Sequence, residues 1–124
     1  MTEIESAWGK YPDYEINLVP CGATAKVRYG DLLLAESDAC LRVEETKHVD
    51  RLYFPEDDVR WELFKESDGF HTICPFKGQA SYYSLKDGPE NAVWTYEQPY
   101  DEMLAIKDLL AFYPDKVSIT TEGR

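Results

Sequence analysis

Cysteine is scarce in this 124-residue chain: Cys21, Cys40 and Cys74 are widely spread and include no C-x-x-C pair. An odd, scattered set builds neither a disulfide framework nor a four-cysteine zinc site, so a reducing cytoplasm is the expected setting. Histidine is scarcer still, with only His48 and His71. His71 and Cys74 stand three apart, but a metal would need two further ligands, and an unligated pair on a strand is the simpler expectation. Neither a metal nor a cofactor is therefore expected. No window approaches the ~20 apolar residues of a membrane span, and the opening MTEIESAWGKYP has no basic stretch followed by an apolar run. Positive charge is also short. Thirteen Lys and Arg face 24 Asp and Glu, for a net charge of -11. Such a field repels phosphate backbones and anionic lipid, so neither nucleic acid nor membrane is an expected partner. The phosphate cradles G-x-x-x-x-G-K-[ST] and G-x-G-x-x-G are absent, as is the nucleophile elbow G-x-S-x-G.

What remains is a composition with 44% hydrophobic residues, enough for one domain over residues 1–124 and too short for two that each bury a core. The dominant period is two. Ala25, Val27 and Tyr29 alternate with Lys26 and Arg28, and Gly30-Asp31 turns the chain into Leu32 to Ala35, which predicts a hairpin. Leu41 to Glu44 and Arg51 to Phe54 read as further strands, and Pro55 to Asp58 as a single helical turn. Trp61 to Glu66 and Phe70 to Cys74 flank the turn tripeptide Ser67-Asp68-Gly69, and Gln79 to Leu85 with Ala92 to Tyr96 make another hairpin around Asp87-Gly88-Pro89. Spacing changes to three and four at Met103, Ile106, Leu109 and Leu110, predicting one short helix over Asp101 to Leu109 with Asp101 as N-cap. Strands at Ala111 to Tyr113 and around Val117 and Ile119 follow. The fold class is mainly β, about nine short antiparallel strands in two packed sheets or a partly open barrel.

One stretch departs from the acidic background. Phe70 to Lys86 runs seventeen residues without an Asp or Glu and contains Lys77 and Lys86. Within it, Pro75 and Gly78 force a bend beside Lys77, and backbone amides next to an ammonium can hold an anion. Strand alternation places Tyr82 on one face with Ala80 and Ser84, and Trp94 with Tyr96, so aromatic rings can line a pocket beside Lys77. The alternative is a tight turn with its lysine in water and the rings filling the core. Lys77 or His71 can lower the pKa of Cys74 and make it a nucleophile, although on a strand Cys74 and His71 face opposite sides. The pairs Glu44-Glu45 and Asp57-Asp58 read as solvated surface.

Four blocks carry a resemblance: Arg51 to Val59 (RLYFPEDDV), Thr72 to Tyr83 (TICPFKGQASYY), Trp94 to Pro99 (WTYEQP) and Ala111 to Tyr113 (AFY). In this order, over residues from about 20 to 121, they resemble the domain-of-unknown-function family 427, also carried under a nucleotidyltransferase-type label. The resemblance implies a β-tent-like fold, two antiparallel sheets pinned together at one edge, to which the short C-terminal helix predicted by spacing is added. Zinc-binding relatives of that architecture hold metal through paired C-x-x-C motifs, which are missing here. The matching family positions are Arg51, Tyr53, Cys74, Pro75, Lys77, Gly78, Tyr82, Trp94, Tyr96, Pro99, Phe112 and Tyr113.

Three function classes are thereby open. The leading one is a small-ligand-binding β domain, its ligand an anionic small molecule held by Arg51, Tyr53, Lys77, Gly78, Tyr82, Trp94 and Tyr96. Seven of the 17 aromatics fall between Phe70 and Tyr100, interleaved with hydroxyls as in pockets that fix a ligand by a few polar groups. The second is a small enzyme with Cys74, Lys77 or His71 as reactive groups and Arg51 as charge stabiliser. The third is an acidic protein-interaction module built on Glu56 to Asp58.

Overall fold

In the computed structural model, which describes residue 11 and residues 13–123, ten strands and three 3-10 turns follow one another. The strands are β1 (Ile16–Pro20), β2 (Ala23–Tyr29), β3 (Leu32–Ser37), β4 (Leu41–Glu45), β5 (Arg51–Tyr53), β6 (Phe64–Cys74), β7 (Gly78–Leu85), β8 (Val93–Thr95), β9 (Leu110–Phe112) and β10 (Ser118–Gly123). They form three sheets, β1-β4-β5, β10-β2-β3 and β6-β7-β8-β9, and every named pairing is antiparallel. The mainly β class holds, but the expected two sheets are three. β10 does not extend the sheet that β9 belongs to; it crosses to β2, with Ile119 opposite Val27. Strand β1, opposite β4, has no counterpart among the predicted strands.

The expected C-terminal helix is also corrected. Asp101–Ile106 is a 3-10 segment broken at Met103 (φ -119°, ψ 20°), and its N-cap is Tyr100 rather than Asp101. The buried residues are Met103 and Ile106, three apart, and a 3-10 turn places that spacing on one face. Six residues are too few to repay helix nucleation, and Asp108 at φ 62° turns the chain into β9 before a further turn forms. The two strands expected on either side of Ser67-Asp68-Gly69 are a single strand, β6. Its ladder to β7 is interrupted between Glu66 and His71, and the Trp61–Leu63 segment before it is a 3-10 turn. Gly69 at φ 74° supplies the irregularity.

Alternation gives the four-stranded sheet two apolar faces. One contributes Phe64, Leu85, Val93, Leu110 and Phe112 to a core shared with Val27 and Leu34 of the β10-β2-β3 sheet. The other contributes Ala80, Tyr82, Trp94 and Ala111 to a core shared with Val43 and Tyr53 of the β1-β4-β5 sheet. That last sheet and the four-stranded one are joined at one edge. Phe54, fully buried, exchanges two backbone hydrogen bonds with Leu110, N to O at 2.7 and 2.8 Å. Residues of both sheets line a cleft of about 510 Å³. No helix among the described residues is long and apolar enough to cross a membrane.

Candidate functional site

Strands β4 and β5 supply one wall of the cleft with Val43, Glu45, Arg51 and Tyr53. The opposite wall carries Thr72, Cys74 and Lys77 from the β6-β7 hairpin, Tyr82 from β7, Trp94 from β8, and Tyr96 and Tyr113 just beyond β8 and β9. The pattern explains the placement. Residues directly opposite in an antiparallel pair share a face, so Thr72 with Ala80 and Tyr82 with Trp94 point to the same side, and Cys74, two along from Thr72, joins them.

The aromatic wall is hydrogen-bonded as well as packed. The Trp94 indole N–H donates to the Tyr53 hydroxyl at 3.2 Å, with the two rings edge-on at 87°. Tyr82 Oη lies 2.7 Å from Thr72 Oγ1 and 3.2 Å from Tyr113 Oη, a chain of three hydroxyls along the wall. Tyr113 in turn packs on Trp94 at 4.5 Å between centroids. Burial raises the phenols of Tyr53, Tyr96 and Tyr113 above the ordinary value of 10.0, Tyr113 to about 12; the hydrogen bond with Tyr82 adds to the rise at Tyr113, whereas the Trp94 N–H offsets part of it at Tyr53. All three are therefore neutral hydroxyls at physiological pH. Replacing Tyr53 by Phe leaves the buried indole N–H without its acceptor, and a loss of about 1–2 kcal/mol in urea unfolding is expected. A change below a few tenths would mean that water replaces the phenol.

The charged groups are unequally committed. Lys77, 6% exposed, directs its ammonium to Glu45 Oε1, while the Tyr14 hydroxyl donates to Glu45 Oε2. His48 Nε2 lies 3.9 Å from that same oxygen. Tyr14 is itself fixed by stacking on Phe76 at 4.0 Å, so the β6-β7 hairpin tip closes onto the end of β4. Arg51 stands differently. Its guanidinium lies over the Trp94 ring at 5.7 Å, and no carboxylate among the described residues pairs with it.

Of the residues singled out from sequence, Arg51, Tyr53, Cys74, Lys77, Tyr82, Trp94 and Tyr96 all line this one cleft. His71 does not. It pairs with Ser81 on the other face of the hairpin, its Nδ1 3.4 Å from Ser81 Oγ, so Cys74 and His71 do not meet. Gly78 does not line the cleft either. Its φ of 116° closes the three-residue loop, and an added Cβ would sit 3.4 Å from the Gln98 carbonyl oxygen. The Lys77 ammonium is neither in water nor free for an anion at the bend, because Glu45 holds it. Glu45 is the residue missed by sequence reading. Only Glu44 behaves as surface, bonded by Arg42 at 3.0 Å, whereas the Glu45 side chain is 12% exposed. The signal was present: Leu41, Val43 and Glu45 share one strand face. Asp58, also read as solvated, accepts a 2.6 Å hydrogen bond from Ser37 Oγ.

Residues 17–123 match the sequence profile of the domain of unknown function DUF427, carried under the label NTP_transf_9. The chain belongs to the DUF427 family. No curated protein matches it. In this DUF427 domain the family blocks that contain Arg51, Cys74, Lys77, Trp94 and Tyr113 converge on the cleft although they lie far apart in sequence. Among the described residues, no three His, Cys, Asp or Glu side chains are grouped so as to hold a metal ion.

Proposed function

We propose that the cleft of this DUF427 domain binds a small anionic molecule, with Arg51 as its charge partner. The observation that carries the reading is the charge count inside the cleft. Lys77 and Glu45 cancel one another, which leaves the Arg51 guanidinium as the fixed charge of the cleft with no carboxylate partner among the described residues, within a chain of net -11. Held over Trp94 and shielded by ring walls, that cation acts in a lower local dielectric than a surface arginine and presents a planar fork of donors to a carboxylate or phosphate. The hydroxyls of Thr72, Tyr82 and Tyr113 add polar anchors beside aromatic faces, and about 510 Å³ is the size of an ordinary small-molecule site.

A thermal-shift screen of nucleotides, sugar phosphates and carboxylic acids tests this. A ligand at a hundredfold excess over its Kd is expected to add about 2.7 kcal/mol of stability to the wild type and nothing to Arg51→Gln. A screen without hits, or hits indifferent to Arg51, overturns the reading. A second reading, an enzyme that uses Cys74 as nucleophile, is favoured by the presence of Cys74 in the same cleft as the Glu45–Lys77 pair. It requires that an electrophile label Cys74 faster than free cysteine and that Cys74→Ser abolish turnover of the ligand the screen identifies.

A further inference from the structure

A second concavity lies on the far side of the four-stranded sheet, where alternation turns Thr95 away from its cleft-facing neighbours Trp94 and Tyr96. Its volume is about 270 Å³. Thr95 and Leu110, opposite one another in the β8–β9 register, form its floor. Trp61 and Tyr83, edge to face with centroids 5.0 Å apart, make an aromatic corner. Glu56, Glu97 and Asp108 supply three carboxylates, and no Lys or Arg lines the space. Asp108 has one cation nearby, Lys107 Nζ at 3.9 Å, in an exposed pair that holds little.

The floor carries the decisive observation. Thr95 is 3% exposed, and its Oγ1 is a buried polar atom with no hydrogen-bond partner among the described residues. Buried hydroxyls are almost always partnered, so an orphan at the bottom of a lined concavity marks a place where a ligand group belongs. Its surroundings define that group. Three carboxylates and two ring faces favour a positive charge, the hydroxyl oxygen accepts a proton donor, and the apolar faces of Leu110 and Trp61 suit an alkyl chain. The raised pKa of Tyr83 agrees with this field: burial is its main cause, and Glu97, Glu66, Glu56 and Asp108 add to it. The carboxylates are not grouped as ligands for a metal ion, which favours a diffuse organic cation over a divalent one.

We propose that this concavity is a site for a primary alkylammonium ion, whose N–H groups bond Thr95 Oγ1 and the surrounding carboxylates while its chain lies against Trp61. The chemistry is shared by free diamines and by lysine side chains. It is independent of the anion reading, since it lies on the opposite face of the sheet and uses none of the cleft's residues.

The experiment is an NMR titration of the whole chain with butylammonium, putrescine and Nα-acetyl-lysine amide as probes. NaCl, MgCl2 and tetramethylammonium at equal ionic strength are the comparisons. Saturable shifts centred on Thr95, Tyr83 and Leu110 are expected with at least one primary amine, and the strongest probe distinguishes a free diamine from a lysine side chain. Thr95→Val keeps the shape of the residue and is expected to weaken binding about tenfold, as is Trp61→Ala. The exposed change Glu97→Gln, which does not threaten folding, is expected to weaken it several-fold. Shifts that follow ionic strength alone, Mg2+ binding more tightly than the amines, tetramethylammonium binding as well as butylammonium, or Thr95→Val binding like wild type would each overturn the proposal.

Discussion

Replacing Lys77 by Met is expected to lower the stability of this DUF427 domain by about 3–5 kcal/mol, a fall in Tm on the order of 10 °C. The magnitude follows from burial. The side chains of Lys77 and Glu45 are 8% and 12% exposed, so removal of the ammonium leaves a carboxylate short of its main partner where little of it reaches water. The Tyr14 hydroxyl and a largely exposed His48 remain nearby, but both lie at Oε2 and neither replaces the ammonium at Oε1. The double change Lys77→Met with Glu45→Leu removes both charges and is expected to recover most of the loss, because two apolar side chains fill the site without a desolvation penalty. Urea unfolding of wild type, both single variants and the double variant measures the coupling directly. A loss below about 1 kcal/mol in Lys77→Met, the range of an exposed ion pair, would mean that the pair is solvated.

Alkali is expected to unfold the domain well before it would unfold a protein with ordinary surface phenols. Burial raises Cys40 from 9.0 to about 12, and it raises Tyr53, Tyr96 and Tyr113 from 10.0. The sign follows from proton counts. Above pH 9 the unfolded chain releases the Cys40 proton and above pH 10 the phenolic protons, while the folded protein retains them. The folded state then holds more protons, so the free energy of unfolding falls as pH rises. Stability is intact below about pH 8, declines from about pH 9 and steepens through 10. Tyr53 and Tyr96 are 1% and 6% exposed, and each is expected to remove about 1.4 kcal/mol by pH 11. Cys40, which ionises a unit lower in the unfolded chain, contributes about twice that loss by the same pH. Urea midpoints at about pH 8, 10 and 11 check this, and Tyr96→Phe should flatten the decline by its own share. Midpoints constant to pH 11 would show that these groups ionise as freely folded as unfolded.

How far the site was legible depended on the range of the interactions that build it. Arg51 with Tyr53, and Trp94 with Tyr96, share faces by simple alternation, so a sequence with period two displays those pairings locally. The same rule separated His71 from Cys74. Glu45 escaped because alternation places it on the Leu41–Val43 face without saying what lies opposite, and a carboxylate on an inward face is stable only if a cation from elsewhere arrives. Lys77 arrives across 32 residues of sequence. Likewise, the spacing of Met103, Ile106 and Leu109 is compatible with an α-helix, but the choice of a 3-10 segment was made by burial of Met103 and Ile106 and by the turn at Asp108 into β9.

The sequence by itself determined the mainly β class, the β2-β3 and β7-β8 hairpins, membership of the DUF427 family and the faces on which most of the cleft's aromatics lie, since each rests on contacts between residues close along the chain or on linear pattern. Tertiary structure alone decided that the described strands form three sheets, that β10 pairs with β2, that Phe54 and Leu110 join two of the sheets at one edge, and that Glu45 neutralises Lys77 while Arg51 has no carboxylate partner among the described residues. Those pairings are non-local. A strand's alternation fixes which face is apolar but not which distant partner covers it, and that choice depends on the packing and charge balance of the whole chain.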